Sequence, residues 1–171
     1  MRYELLKILL VDDNAHMRTL LTEILRAVGV RDLFEAADGS AGLKLLKRQE
    51  IDIVFTDLAM QPMDGIEFVK QVRTGPDSPG SMTPVIMVTG YSTAQRVGEA
   101  RDAGVTEFLT KPLTAQAVLD RVTRVVEKPR TFVRSMTYFG PDRRRRQLPN
   151  YHGPWRRVSD PGRTEPSIEI S

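Results

Sequence analysis

The segment Ile53-Val54-Phe55-Thr56-Asp57 constrains the fold more than any other part of the chain. Three consecutive apolar residues without alternation fit a strand covered on both faces, the habit of parallel sheets held between helices. The run ends in a carboxylate, Asp57. A loop with the breakers Pro62 and Gly65 follows. Ile66, Val69 and Val72 then resume at helical spacing. An acid at the carboxyl end of a buried strand stands where open α/β sheets keep their ligand crevice. The competing reading is a solvated loop acid or turn former, and the rest of the chain decides between them.

The same unit recurs along the sequence. Residues 7–11 (KILLV) form an apolar run that ends in Asp12 and Asp13. Asn14 is placed to cap a helix carrying Met17, Leu20, Leu21, Ile24, Leu25 and Val28, with Gly29 as its stop. Residues 33–36 read as a shorter strand, and 39–49 as a helix with Leu43 and Leu46 inward. A loop rich in Gly and Pro leads to a fourth strand, 85–88, ending at Thr89 and Gly90. A fourth helix stops at Gly104. Residues 107–109 form a fifth strand, followed by Thr110, Lys111 and Pro112. Thr114 caps a last helix with Val118, Val122 and Val125 on its apolar side. Five strands alternating with five helices predict an α/β fold, a doubly wound (βα)5 parallel sheet of flavodoxin-like order 2-1-3-4-5 with right-handed crossovers. In that order Asp12, Asp13 and Asp57 converge on one crevice, and Thr89 and Lys111 lie on the same rim.

Three carboxylates on one rim repel one another and call for compensation. Magnesium suits, because a few carboxylates, waters and a phosphate complete its octahedron. Zinc does not, since the chain has no cysteine and neither His16 nor His152 falls near the rim set. Lys111 offers a positive point charge to a phosphoryl oxygen, and Thr89 offers a hydroxyl. Asp57 can take a phosphoryl group as an acyl phosphate, with catalysis by positioning and charge neutralisation. The only catalysis expected is of its own phosphorylation and dephosphorylation.

The set VDD at 11–13, TDLAMQPMDG at 56–65, VTG at 88–90 and FLTKP at 108–112 resembles the receiver domain of two-component response regulators, in its stand-alone form similar to the chemotaxis response regulator CheY. The resemblance covers about residues 5–127. It implies that Asp57 accepts phosphate from a sensor histidine kinase or a histidine phosphotransfer protein. It implies that Asp12 and Asp13 are the acidic metal-binding pair, completed by the backbone carbonyl of Ala59. Thr89 matches the switch hydroxyl, Lys111 the phosphate-pairing lysine, and Phe108 the aromatic switch position. Pro112 matches a proline preceded by a cis peptide. Two departures stand out. The family's proline directly after the methionine matching Met60 is replaced by Gln61, with Pro62 following. Ala59 and Tyr91 flank the family's route for the dephosphorylating water, so the resemblance fixes no phosphoryl lifetime.

Charge divides the chain. Residues 1–127 carry a net charge of −3, and residues 128–171 a net charge of +6. The first segment is the expected receiver domain. The second holds six prolines and few aliphatic residues, so it is expected to be a disordered basic tail. It contains an internal repeat: Tyr138-Phe-Gly-Pro-Asp-Arg-Arg returns as Tyr151-His-Gly-Pro-Trp-Arg-Arg. A Gly-Pro turn presenting an aromatic beside arginines makes Tyr138, Arg143, Arg144, Arg145, Arg146, Tyr151, Arg156 and Arg157 candidates for contact with an acidic protein, a phosphate-bearing ligand or RNA.

The reading is a phosphorylation-controlled switch in a two-component phosphorelay, with a kinase or phosphotransfer protein upstream and a protein partner downstream. Nothing forbids a homodimer. No helix-turn-helix pattern is visible, so sequence-specific DNA binding is not expected. No apolar run approaches the roughly 20 residues of a membrane span, and the absence of cysteine fits a cytoplasmic protein. One alternative is an RNA- or nucleotide-binding protein acting through the tail, with the receiver as its regulator. Another is a phosphatase of the haloacid dehalogenase type. That type wants an Asp-x-Asp pair on strand 1, where this chain has adjacent acids.

Overall fold

In the computed structural model, residues 2–75, 78, 80–90 and 92–143 are described. A short 3-10 turn, Tyr3–Leu5, leads into β1 (Lys7–Val11). There follow α1 (Ala15–Ala27), β2 (Asp32–Ala36), α2 (Gly39–Arg48), β3 (Ile53–Asp57) and α3 (Gly65–Thr74). Then come β4 (Val85–Thr89), α4 (Ala94–Ala103), β5 (Glu107–Thr110) and α5 (Ala115–Glu127). The five strands form one parallel sheet in the order β2-β1-β3-β4-β5, as expected.

Alternation along each strand sends side chains into two separate cores. Leu9, Val11, Val54, Val85 and Met87 pack with Leu46 of α2, Phe68, Val69 and Val72 of α3, and Ala100 and Ala103 of α4. Ile8, Leu10, Ile53, Phe55, Ile86 and Val88 pack with Leu21 and Leu25 of α1 and Val118, Val122 and Val125 of α5. Every residue of β3 and β4 is buried, because helices cover both faces. Full burial of each such aliphatic side chain contributes about 1.5–3 kcal/mol.

The helix ends follow local rules. Asn14, Asp38, Asp64, Thr93 and Thr114 each accept a hydrogen bond from a first-turn amide at the start of α1 to α5 in turn. Gly104 ends α4 in the left-handed region, at φ 108°, which a side chain would resist. The peptides Gln61–Pro62 and Lys111–Pro112 are cis. The second matches the expectation from the family resemblance.

The expectation of a tail without structure is corrected for its first third. Phe132–Arg134 (β6) and Phe139–Pro141 (β7) pair as an antiparallel hairpin. The hairpin sits at the amino ends of β4 and β5. Arg130 donates to the carbonyls of Thr106 and Asp142. Phe132 lies over the guanidinium of Arg73, 5.0 Å from its ring centroid. The physical reason is that this segment builds no core of its own but borrows one: its rings and arginines cover polar groups of the receiver. The Gly140-Pro141 turn is corrected as well, since both residues lie in β7. Gly140 is required by close approach. A Cβ there would stand 2.6 Å from the Tyr138 hydroxyl and 3.0 Å from the Gly104 Cα.

Candidate functional site

β1, β3, β4 and β5 are adjacent or nearly so in the sheet, and their carboxyl ends deliver the rim residues. Asp57 ends β3, Asp12 and Asp13 follow β1, Thr89 ends β4, and Lys111 follows β5. Carboxylate oxygens of Asp12, Asp13 and Asp57 lie within 4.8 Å of one another. Asp12 and Asp57 are buried, and Asp13 is exposed. Lys111 Nζ stands 3.1 Å from Asp57 Oδ1. All four charged residues expected at the site are therefore brought together.

Local hydrogen bonds hold the acids in place. The Asn14 amide donates to Asp12 Oδ1 at 2.8 Å, and Arg18 Nη1 donates to the Asp12 carbonyl at 2.7 Å. The Gln61 amide donates to Asp13 Oδ2 at 3.4 Å. Burial pushes the Asp12 carboxyl up from its ordinary range, and the carboxylates of Asp57 and Asp13 push the same way. The Asn14 N–H and the Lys111 charge oppose them. The site thus concentrates negative charge in a partly dry crevice, where among the described residues Lys111 is the cation paired with a carboxylate of the cluster. Hard oxygen donors in that arrangement, with an exposed Ala59 beside them, suit magnesium's preference for carboxylate, carbonyl and water. Nitrogen and sulfur donors, which zinc prefers, are missing from the cluster.

Thr89 and Phe108, the two positions expected to switch, lie close to this rim and to the core behind it. Thr89 is buried, and its hydroxyl is hydrogen-bonded to the Ser92 hydroxyl. Its carbonyl accepts from the Lys111 amide at 2.8 Å, which ties β4 to the residue that carries the cation. Phe108 is half-buried and packs on the core shared by α2, α3 and α4. Its carbonyl accepts from Arg121 Nε at 2.7 Å.

Sequence reasoning missed several supporting residues. Ser92, Arg18 and the Gln61 amide act through positions that no pattern marks. Gly65 was legible only as a breaker. In the structure a Cβ at Gly65 would stand 2.2 Å from the Asp57 carbonyl oxygen, so only glycine lets α3 start against the end of β3. Tyr91 lies outside the described residues. Of the tail candidates, Tyr138 and Arg143 make intramolecular contacts. The Tyr138 hydroxyl donates to the Pro141 carbonyl. Arg143 lies 4.0 Å above the Tyr138 ring and pairs with Asp102 of α4 at 2.9 Å. Arg144, Arg145, Arg146, Tyr151, Arg156 and Arg157 lie outside the described residues. Among the described residues no helix is long and apolar enough to cross a membrane.

Comparison with known proteins agrees with this geometry. Residues 8–123 match the family model of the response regulator receiver domain. The chain is 35% identical over 123 residues to the chemotaxis protein CheY-3 of Vibrio cholerae, covering 72% of this chain and 93% of that protein. Among solved structures it is similar to the V. cholerae chemotaxis protein CheY4, with 31% identity and a TM-score of 0.65, over 70% of this chain and 98% of that one. It is also similar to the receiver domain of a Pseudomonas aeruginosa sensor histidine kinase that has magnesium coordinated in its active-site cleft. There the identity is 25% and the TM-score 0.65, over 72% of this chain and 98% of that one. These matches lie on the receiver part and lend no support to a nucleic-acid-binding protein that works through the tail. With residues 8–123 on the family model and its sheet in the order expected for the fold, the chain belongs to the response regulator receiver domain family.

Proposed function

We propose that, within the phosphorylation-controlled signalling of its family, this chain accepts a phosphoryl group on Asp57 from a phosphohistidine, with residues 1–127 as the receiver and residues 128–171 as its appendage. The observation that carries this reading is the convergence of three carboxylates with one lysine bound to Asp57. The donor is a sensor histidine kinase or a histidine phosphotransfer protein. Asp12, Asp13, Asp57 and the Ala59 carbonyl are the groups that would hold magnesium. The ion, when bound, supplies positive charge for the phosphoryl oxygens and relieves the repulsion among the acids.

The chain's own residues do the rest. A carboxylate oxygen of Asp57 forms the new P–O bond as the P–N bond to the donor imidazole breaks. The imidazole leaves with the electron pair and takes up a proton from solvent. Lys111, already paired with Asp57, keeps a positive charge where a phosphoryl oxygen arrives. The Thr89 hydroxyl gives up Ser92 and donates to the phosphoryl group. That movement opens space on the β4 side, and Phe108, which has no hydroxyl, follows by packing alone. The chain turns over no other substrate, and its output passes to a downstream protein.

The test is mass spectrometry after treatment with a small phosphodonor and magnesium. Wild type should gain one phosphoryl group, and Asp57→Asn none. Equal labelling of the two would remove Asp57 from the role. Lys111→Ala should still label, but the chemical shifts of Thr89 and Phe108 should no longer respond to phosphorylation.

A further inference from the structure

Of the two acids that follow β1, Asp12 is buried and Asp13 is exposed, so packing fixes the first and leaves the second to its backbone. The peptide between them is held by Arg18 of α1. Its Nη1 donates to the Asp12 carbonyl at 2.7 Å, and its amide donates to the Asn14 carbonyl at 3.2 Å. The Asp12 amide in turn donates to the Ala36 carbonyl at 3.1 Å. A bonded Asp12 carbonyl sets the plane of the 12–13 peptide, and with it the direction in which the Asp13 carboxylate leaves the chain. Arg18 is itself held from the edge strand of the sheet, β2. There Glu35 stands beside Leu10 of β1, a residue that faces α1. Glu35 Oε2 accepts from Arg18 Nε at 3.1 Å, and Glu35 Oε1 accepts from the Thr22 hydroxyl at 3.2 Å. Residues 18 and 22 lie four apart on one face of α1, so a single helix face engages both carboxylate oxygens.

We propose that Arg18 is a positioning residue for the acids that hold magnesium, and that Glu35, acting through Arg18, sets the affinity of that site from the edge of the sheet. The proposal rests on the reading of Asp12, Asp13 and Asp57 as the magnesium-holding set. Arg18 reaches the acidic pair through a backbone carbonyl, and Glu35 reaches it through Arg18. One rigid, planar guanidinium answers a carboxylate with one nitrogen and the carbonyl with another, so fixing Nε at Glu35 aims Nη1 at Asp12. The charge of Arg18 by itself would oppose a cation bound nearby. The Glu35 carboxylate paired with it offsets that charge, so the pair acts on the site by geometry.

The test titrates magnesium into the full-length protein, read by calorimetry and by the Asp13 amide resonance. Arg18→Ala should weaken magnesium binding about 10-fold, the low end for groups that orient metal ligands. Arg18→Lys should recover only part of the loss, because an ammonium lacks the fixed fork. Glu35→Ala should weaken binding by a smaller factor in the wild-type background, and should add nothing once Arg18 is Ala. Glu35→Gln, which removes the charge and keeps an acceptor, should stay closer to wild type. Glu35 is exposed, so its variants carry the test even where Arg18→Ala lowers the melting temperature. The loss should lie in affinity, with Asp57 labelling by a small phosphodonor returning as magnesium is raised. Wild-type magnesium affinity in Arg18→Ala would overturn the proposal. Equal losses from Glu35→Ala with and without Arg18 would also overturn it, by making Glu35 a remote charge. A wild-type protein that binds no magnesium would instead remove the underlying reading of the three acids.

Discussion

The two ends of the sheet handle charge in opposite ways. At the carboxyl end, three carboxylates crowd within 4.8 Å and Lys111 is the cation in contact. At the amino end, Arg73 is buried, yet its guanidinium donates to the carbonyls of Ser81, Thr83 and Gly104 and lies under Phe132. Burial lowers its pKa to about 10, and it remains charged at neutral pH. The floor therefore keeps a charge that the fold satisfies with its own carbonyls. The rim keeps charge that the fold leaves short of partners. Buried charge by itself does not mark a functional site. Buried charge without internal compensation does.

The largest expected effect sharpens the rim side of that contrast. Asp13→Ala removes an exposed oxygen donor and no core contact, so melting should hardly change. Magnesium affinity and Asp57 labelling should fall by about 100-fold or more, since even indirect partners of a metal site are worth 10–100-fold. A magnesium titration that matches wild type would break the assignment. Arg73→Ala probes the floor. It strands at least three carbonyls and uncovers Phe132, and should cost about 3 kcal/mol in denaturant unfolding. Magnesium affinity should be unaffected. Loss of magnesium binding with intact stability would mean that the two ends are not separate.

A smaller effect concerns Asp12 in the absence of metal. Its folded-state pKa is raised, so the folded state holds more protons than the unfolded chain just above the ordinary aspartate range. Stability then falls as pH rises through that window. Asp12→Asn should melt higher than wild type at pH 7, with the gap closing as pH falls into the acid range. A variant that is less stable at pH 7 would show that hydrogen bonding outweighs repulsion there. The smallest effect belongs to the Arg143–Asp102 pair. Arg143→Ala should change stability by less than about 1 kcal/mol, with the difference vanishing in high salt.

Much of this was legible in the chain because local rules and tertiary demands agree. Val11-Asp12-Asp13 and Phe55-Thr56-Asp57 pass from apolar to acidic at the point where a covered strand meets solvent. The helix caps at Asn14 and Thr114 obey nearest-neighbour chemistry. The hairpin was not legible for the opposite reason. Phe132–Arg134 is three residues long with no apolar alternation to mark it, and its stability comes from Arg73 and Thr106, far away in sequence. Gly140-Pro141 looks like a turn locally. It lies in a strand because the approach to Gly104 and the Tyr138 hydroxyl selects an extended backbone.

The sequence by itself determined the layered α/β architecture, the strand order and the identity of the rim carboxylates, because periodicity and strand-end acids are properties of neighbouring residues. Only the tertiary structure decided the distances within the acidic cluster, the need for glycine at position 65 and the bonding of Thr89 to Ser92. It alone decided that the start of the basic tail folds back onto the receiver. Each of these depends on how closely separate elements approach, and approach is set by packing of the whole core and not by any local pattern.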